Sequence, residues 1–573
     1  MSKVSKIVSY GKIGWRFSST LSYKHQACEE PLRHISIGTL LEESAKKYRD
    51  VPAIISMHQN ETLTYGDLLK KSDQLAASLQ SQGLEIGDRV GVYLPNQYEW
   101  VIIMLACCRA GLITVALNPF YETPEMEYCI NKVGIKALFT GDKVKQQDYY
   151  EIMKNVAPEL PNCDPGKLKS KKVPTLKTII HSTDKENKGT YTFNEILNFS
   201  NETQIKNIQK HQHLIDSDLP CNIQFTSGTT GKPKAAVISH FNLANNSYFI
   251  SKRMELNKKH HKVCVQVPLF HAFGTTITIA SAIHFGTTLV FPSLSYNPEN
   301  NLDALATEKC TIAHGTPTMY VDLINVQSKR KENLSLEVAL NGGSPCSPEL
   351  LRKMIDVLGV KRVKSVYGLT ETTGSSFHSL PGESQDLSIN TVGHLQEHLE
   401  AKIVDEKGNT VPIGKRGELW IRGYSVMLGY WGDEEKTNEL ITQSKWLKTG
   451  DQFIMFENGY GKCVGRIKDM IIRGGENIFP KEIEDLLNTH QNILETQVIG
   501  ITHERLGEEV CACIRLNDEA IDLKLDDVKK FCEGKLAKFK IPTQLKVMKT
   551  FPKTTSGKVQ KHILRKLIEK EIN

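Results

Sequence analysis

Nine residues, TSGTTGKPK at positions 226–234, hold four hydroxyls, two glycines and two lysines. Gly228 and Gly231 let the backbone bend close to a ligand. Successive N–H groups then form a concavity for an anion, to which Thr226, Ser227, Thr229 and Thr230 add hydroxyl donors and Lys232 and Lys234 add charge. The preceding CNIQF is β-like, so the loop hangs from a strand end, where open α/β sheets take their ligands. It is not a Walker P-loop, which needs a longer spacer between its first glycine and its Gly-Lys pair. Here only Thr229 and Thr230 separate Gly228 from Gly231, and Pro233 opposes a helix opening at Lys232. On its residues alone the stretch reads equally as a polyphosphate loop or as a polar surface turn.

The flanking sequence supplies a frame for such a loop. DRVGVYL (88–94), NQYEWVIIMLACCRAG and LITVAL predict strand, helix and strand in succession. TPEMEYCINKVG predicts a helix with Thr123 as N-cap and Pro124 at its first position, followed by the strand KALFT. VCVQVP, GTTLVFP and CTIAHG predict short strands, with LDALATEK helical between two of them. SPELLRKMIDVLG predicts a helix capped by Ser347 and ended by Gly359, before the strand VKSVYG. This alternation predicts an α/β fold whose largely parallel sheet is covered on both faces. Residues 161–190, polar, basic and broken by Pro and Gly, predict a solvated surface excursion. Further on, AKIVDEKGNTVP, GELWIRG and YGKCVGR predict antiparallel strands. A smaller α+β unit follows, with KEIEDLLNT, DDVKKFCEGKL and the C-terminal segment helical and ETQVIGI and VCACIRL as strands.

Composition sets limits. At 40% hydrophobic and 24% charged residues, the 573-residue chain has the make-up of an ordinary soluble protein of several domains. The net charge is +7, but residues 1–28 carry Lys3, Lys6, Lys12, Arg16 and Lys24 and no acid; removing these five leaves +2. The body is nearly neutral and does not call for nucleic acid as a partner. The acid-free, Ser-rich segment 1–28 reads as a mitochondrial transit peptide, an address to the matrix. The longest apolar run, VIIMLACC, is too short to cross a bilayer. Thirteen cysteines without a CxxC pair suggest reduced thiols.

The nine-residue loop resembles the phosphate-binding signature of the adenylate-forming superfamily of acyl-CoA and aryl-CoA synthetases, peptide-synthetase adenylation domains and luciferases. The resemblance continues in order through PLFHAFG (268–274), NGGSP (341–345), YGLTETTG (367–374), GELWIRG (417–423), KTGD (448–451), GRIKDMIIRGGENIFP (465–480) and PKTTSGK (552–558). It implies a large N-terminal adenylation domain at 29–466, with parallel-rich sheets flanked by helices and a small β-barrel. A smaller mobile α+β domain would follow at 467–573. By the same resemblance, Thr226–Lys234, Gly343 and the adenine-side Tyr367 and Gly368 bind ATP. Asp451 and Arg466 hold the ribose or phosphate, and Thr370 contacts the α-phosphate. Glu371 anchors Mg²⁺, which takes only one or two protein carboxylates. Gly342 and Gly343 would clear side-chain bulk from a flat base. His271 borders the carboxylate and the thiol entry as a positioning residue.

Lys558 would bridge carboxylate and α-phosphate, a role that suits a compact ammonium on a flexible stem. Lys468, where many relatives carry Asp, would be the pivot on which the small domain turns between two half-reactions. Gly474 and Gly475 would then admit the pantetheine arm of CoA. The implied activity is an AMP-forming fatty acyl-CoA synthetase of medium-chain preference. Residues 275–286 and Gly315–Thr318 would line its acyl pocket. An aryl-CoA ligase shares every motif. A nucleotide-binding regulator without catalysis is the alternative of another class, against which the intact Lys558, Glu371 and Asp451 speak.

Overall fold

The helix Tyr98–Ala110 is apolar around its whole circumference, and Glu99 through Ala110 are all buried. A helix of that kind stabilises a fold only from the middle of a core, and here it lies within the largest apolar cluster. Arg109, near its end, is fully buried and is carried there by Asp73 at 2.5 Å and the carbonyl of Gly38 at 3.1 Å. The computed structural model describes residues 20–573 except 145, 184–185, 227–231, 345, 519, 556 and 573.

Two large sheets enclose this core. In the eight-stranded sheet the order is Tyr191–Thr192, Thr178–His181, Ile135–Thr140, Arg89–Tyr93, Ile113–Ala116, Pro220–Thr226, Lys234–Ser239 and Gly429–Tyr430. Its first six strands are parallel, and Lys234–Ser239 turns back antiparallel on Pro220–Thr226. The nine-stranded sheet runs parallel through Arg362–Tyr367, Val338–Gly342, Ile312–Gly315, Lys262–Val265, Thr288–Phe291 and Pro52–Ser56. Antiparallel strands finish both of its edges. The predicted strand–helix alternation is therefore present. One cap differs: Glu122, not Thr123, precedes the helix Thr123–Val133, in a reciprocal pairing with Glu125.

A third sheet orders Tyr23–His25, Glu400–Val404, Arg416–Arg422, Leu447–Met455 and Gly461–Arg466 antiparallel. This is the region expected as a small barrel. Among the described residues its two edge strands do not pair with each other; the Gly461–Arg466 side is bridged instead to the nine-stranded sheet through Tyr460 and His394. After Arg466 the chain makes one tight turn, Ile467–Asp469, and enters a separate sheet built on Ile493–His503 and Gly507–Leu516, with its own apolar core.

Two sequence expectations need correction. Residues 161–190 are not simply a solvated excursion. Leu168, Val173 and Leu176 are buried, and Thr178–His181 is a parallel strand of the eight-stranded sheet. The scattered apolar residues in that stretch were outweighed by its lysines and prolines. The leader boundary at 28 also cuts into folded structure, because Tyr23–His25 pairs with Glu400–Lys402. Its flanks add Ser22 N–H to Val411 O at 2.7 Å and Gln26 N–H to Leu399 O at 2.9 Å, and the Tyr23 hydroxyl donates to Glu400 at 2.8 Å. Residues 1–19 lie outside the described residues. At about 1 kcal/mol net per hydrogen bond, a chain starting at residue 29 should be less stable than one starting at residue 20 by roughly 2–4 kcal/mol. Paired urea melts measure this, and equal midpoints would show the strand to be dispensable.

Candidate active site

The phosphate-loop motif closes a hairpin between two buried strands, with Thr226 paired to Lys234 across its neck. Ser227, Gly228, Thr229, Thr230 and Gly231 lie outside the described residues. Of the rest, the Tyr128 hydroxyl donates to Pro233 O at 3.1 Å, and the Lys232 ammonium stands 5.4 Å from the centre of the Tyr128 ring. Lys234 lies 5.1 Å from the Tyr430 ring, and the Tyr430 hydroxyl donates to Glu371 at 2.7 Å. One tyrosine thus couples the basic end of the loop to the carboxylate expected to anchor a metal. Tyr430 was not foreseen, since nothing within MLGYWGD marks this buried tyrosine out.

Thr370 and Glu371 form a tight turn directly after the strand Arg362–Tyr367, and Glu371 O accepts from Met427 N–H at 3.0 Å. The turn needs Gly368: a Cβ there would come within 2.4 Å of Gly374 O. A lone, partly exposed carboxylate with hard oxygen donors suits Mg²⁺, which keeps most of its waters.

Asp451 is 3% exposed. The Tyr367 hydroxyl donates to it at 2.6 Å, and Arg466, its register partner on the next strand, brings Nε to 3.1 Å. Burial pushes the Asp451 carboxyl above its usual range, against the pull of Arg466, Tyr367 and Lys558. Tyr367 also packs on Phe453 at 5.3 Å, so the residue expected beside adenine is first a support for the carboxylate.

Lys558 enters this space from the small domain. Its Cε lies 3.5 Å from where a Cβ of Gly343 would stand, and Gly343 has a φ of +86°. Burial and then the Arg466 cation lower the Lys558 ammonium to about 8, while Asp451 and Glu371 oppose that shift. His271 is pushed down to about 3 by burial and by Lys558, so it is neutral, and its Nδ1 accepts from Phe273 N–H at 3.3 Å. The structure therefore gathers His271, Gly343, Glu371, Asp451, Arg466 and Lys558 around one space. Asn341 Oδ1, Thr276 Oγ1 and Thr316 Oγ1 are buried on its margins without partners among the described residues. Residues Phe273–Ala280, beside it, run as π-helical turns, an uncommon geometry that recurs at functional sites.

Gly474 and Gly475 are not brought into this space. They form the exposed two-residue turn of a hairpin, both at positive φ, between Ile471–Arg473 and Glu476–Ile478. Lys468 is exposed in the turn joining the domains.

Comparison with known proteins gives the family. The profile of the AMP-binding enzyme family matches residues 41–431, and that of the AMP-binding enzyme C-terminal domain matches 482–558. The chain belongs to the AMP-binding enzyme family. This AMP-binding enzyme is 42% identical over 556 residues to a protein of Danio rerio named medium-chain acyl-CoA ligase ACSF2, mitochondrial, covering 96% of this chain and 91% of the relative. It is 40% identical over 559 residues to the Homo sapiens protein of the same name, covering 96% and 91%. Its fold matches a crystal structure of the anthranilate CoA ligase AuaEII in complex with anthranoyl-AMP. The TM-score is 0.82 at 23% identity, covering 95% of this chain and 99% of that one.

The Tyr367–Asp451 bond has a measurable worth. Hydrogen bonds to charged groups contribute about 1.5–3 kcal/mol net, so Tyr367→Phe should lower the unfolding free energy in urea by about that amount. An unchanged midpoint would mean that Arg466 alone supports the carboxylate.

Proposed function

We propose that this AMP-binding enzyme is an AMP-forming acyl-CoA ligase acting on medium-chain fatty acids in mitochondria. The observation that carries the reading is Lys558. A lysine of the small domain stands beside Gly343 in the space shared by His271, Glu371 and Asp451. The family match and the names of the relatives support it.

A carboxylate is a poor acyl donor because negative charge shields its carbon and its leaving group is oxide. In the proposed first half-reaction, a carboxylate oxygen forms a bond to the α-phosphorus of ATP. The bond from that phosphorus to the bridging oxygen breaks, and pyrophosphate departs with the electron pair. Negative charge accumulates between two anions, and a fixed cation aimed there acts on the transition state more than on the separated reactants. Lys558 is that cation, with Thr370 as hydroxyl donor and Asp451 accepting from the ribose hydroxyls. Neutral His271 shapes the carboxylate side without adding charge. Glu371 would hold Mg²⁺, which supplies charge neutralisation on the phosphates. In the second half-reaction the CoA sulfur bonds to the acyl carbon and AMP leaves, the thiol proton passing to solvent. Lys558 must withdraw for this, which is the reason to expect rotation about Lys468 with Gly474 and Gly475 turning inward. The pocket expected along 275–286 is mainly small and aliphatic. Each buried methylene adds about 0.8 kcal/mol, so chain-length preference should be graded rather than absolute.

The deciding experiment is exchange of radiolabelled pyrophosphate into ATP across a panel of fatty and aromatic acids, followed by CoA addition. Exchange should be largest with medium-chain acids, and a panel without exchange rejects the reading. Lys558→Ala should cut exchange by about a hundredfold or more while sparing CoA-dependent consumption of supplied acyl-AMP. Because the ammonium sits near 8, below its usual value, the active cation is present below that pH and is lost above it. The kcat/KM for exchange should therefore fall as pH rises through about 8, and Lys558→Arg should abolish that limb.

A further inference from the structure

Lys481 is the second residue of the helix Pro480–Leu487 in the small domain. A cation there opposes the positive end of the helix dipole, a cost set against its i,i+4 pairing with Asp485. Its side chain is nevertheless drawn in to 15% exposure. Its ammonium donates to Asp485 at 2.8 and 3.0 Å, and also across the domain boundary to Cys346 O at 2.9 Å. Cys346 follows the loop that contains Gly343, the residue beside Lys558, and its carbonyl lies just outside the helix that Ser347 caps. The small domain thus meets one short loop of the large domain at two points: Lys558 lies beside Gly343, and Lys481 bonds to the Cys346 carbonyl. Phe479, two residues before Lys481, lies under the Arg416 guanidinium at 4.2 Å and aligns the approach.

We propose that Lys481 is a positioning residue: its bond to the Cys346 carbonyl latches the small domain in the orientation that presents Lys558 for adenylation. Asp485 stays paired with Lys481 in either orientation. It lies on the same helix and travels with Lys481, so when the domain swings the ammonium gives up one carbonyl and keeps its carboxylate. The inference rests on the two-step ligase reading above.

The test uses the full chain with Lys481→Met, which keeps the stem and removes the charge, with Lys481→Arg, and with Asp485→Asn, which spares the Cys346 bond. Loss of a charge-assisted hydrogen bond predicts that Lys481→Met lowers pyrophosphate exchange by about tenfold or more, with thioester formation from supplied acyl-AMP changed less than about threefold. Trypsin cleavage between residues 466 and 473 should accelerate in the same variant, a readout independent of turnover. Lys481→Arg should restore both, and Asp485→Asn should leave the ratio of the half-reactions near that of the parent. The latch is overturned if Lys481→Met lowers both half-reactions equally, or leaves both unchanged, or if Asp485→Asn shifts their ratio as strongly. If the parent protein performs neither half-reaction, the ligase reading fails by itself, and the cleavage rates still decide whether Lys481 holds the domains.

Discussion

A carboxylate almost without access to water is the constraint around which this molecule is arranged. Asp451 lies in the third sheet, takes a hydrogen bond from Tyr367 at the end of a nine-stranded-sheet strand, and faces Arg466 on the last strand before the small domain. Removing the partners of a buried charge is far more costly than never burying it. The three elements that meet at Asp451 are therefore tied to one another, and the domain boundary falls where one of those partners ends. Arg466 itself is 45% exposed. The pair is thus buried on the acid's side and open to water on the base's side.

Much of this was legible in the sequence. The strand–helix alternation and the caps at Ser347 and Gly359 follow from patterning, and the gathering of Lys558, Asp451, Arg466, Glu371 and His271 is what the family resemblance implies. What escaped notice depended on partners distant in the chain. Tyr430 matters because Lys234 and Glu371 converge on it, and Lys481 because a carbonyl 135 residues away accepts from it. Neither signal exists in a local window. The strand Thr178–His181 was hidden for a related reason: a short run at the edge of a lysine-rich stretch gains its burial only from the sheet it joins.

The electrostatics of the gathered residues are uneven in a useful way. His271 is neutral because a cation and burial both oppose its protonation, while Lys558 keeps its charge near neutral pH because Asp451 and Glu371 partly offset the same burial. Lys558 and Arg466 are the cations of this cluster, and His271 adds none.

The edge strand Tyr23–His25 has a consequence for how the chain is made. Its partner begins at Glu400, and the hydroxyl of Tyr23 reaches a carboxylate 377 residues further along. Contacts so distant in sequence form late. On the ribosome, Tyr23–His25 can dock only after Glu400–Lys402 has been made. Until then Tyr23–His25 has no place in the third sheet, and completion of that sheet is what takes it in.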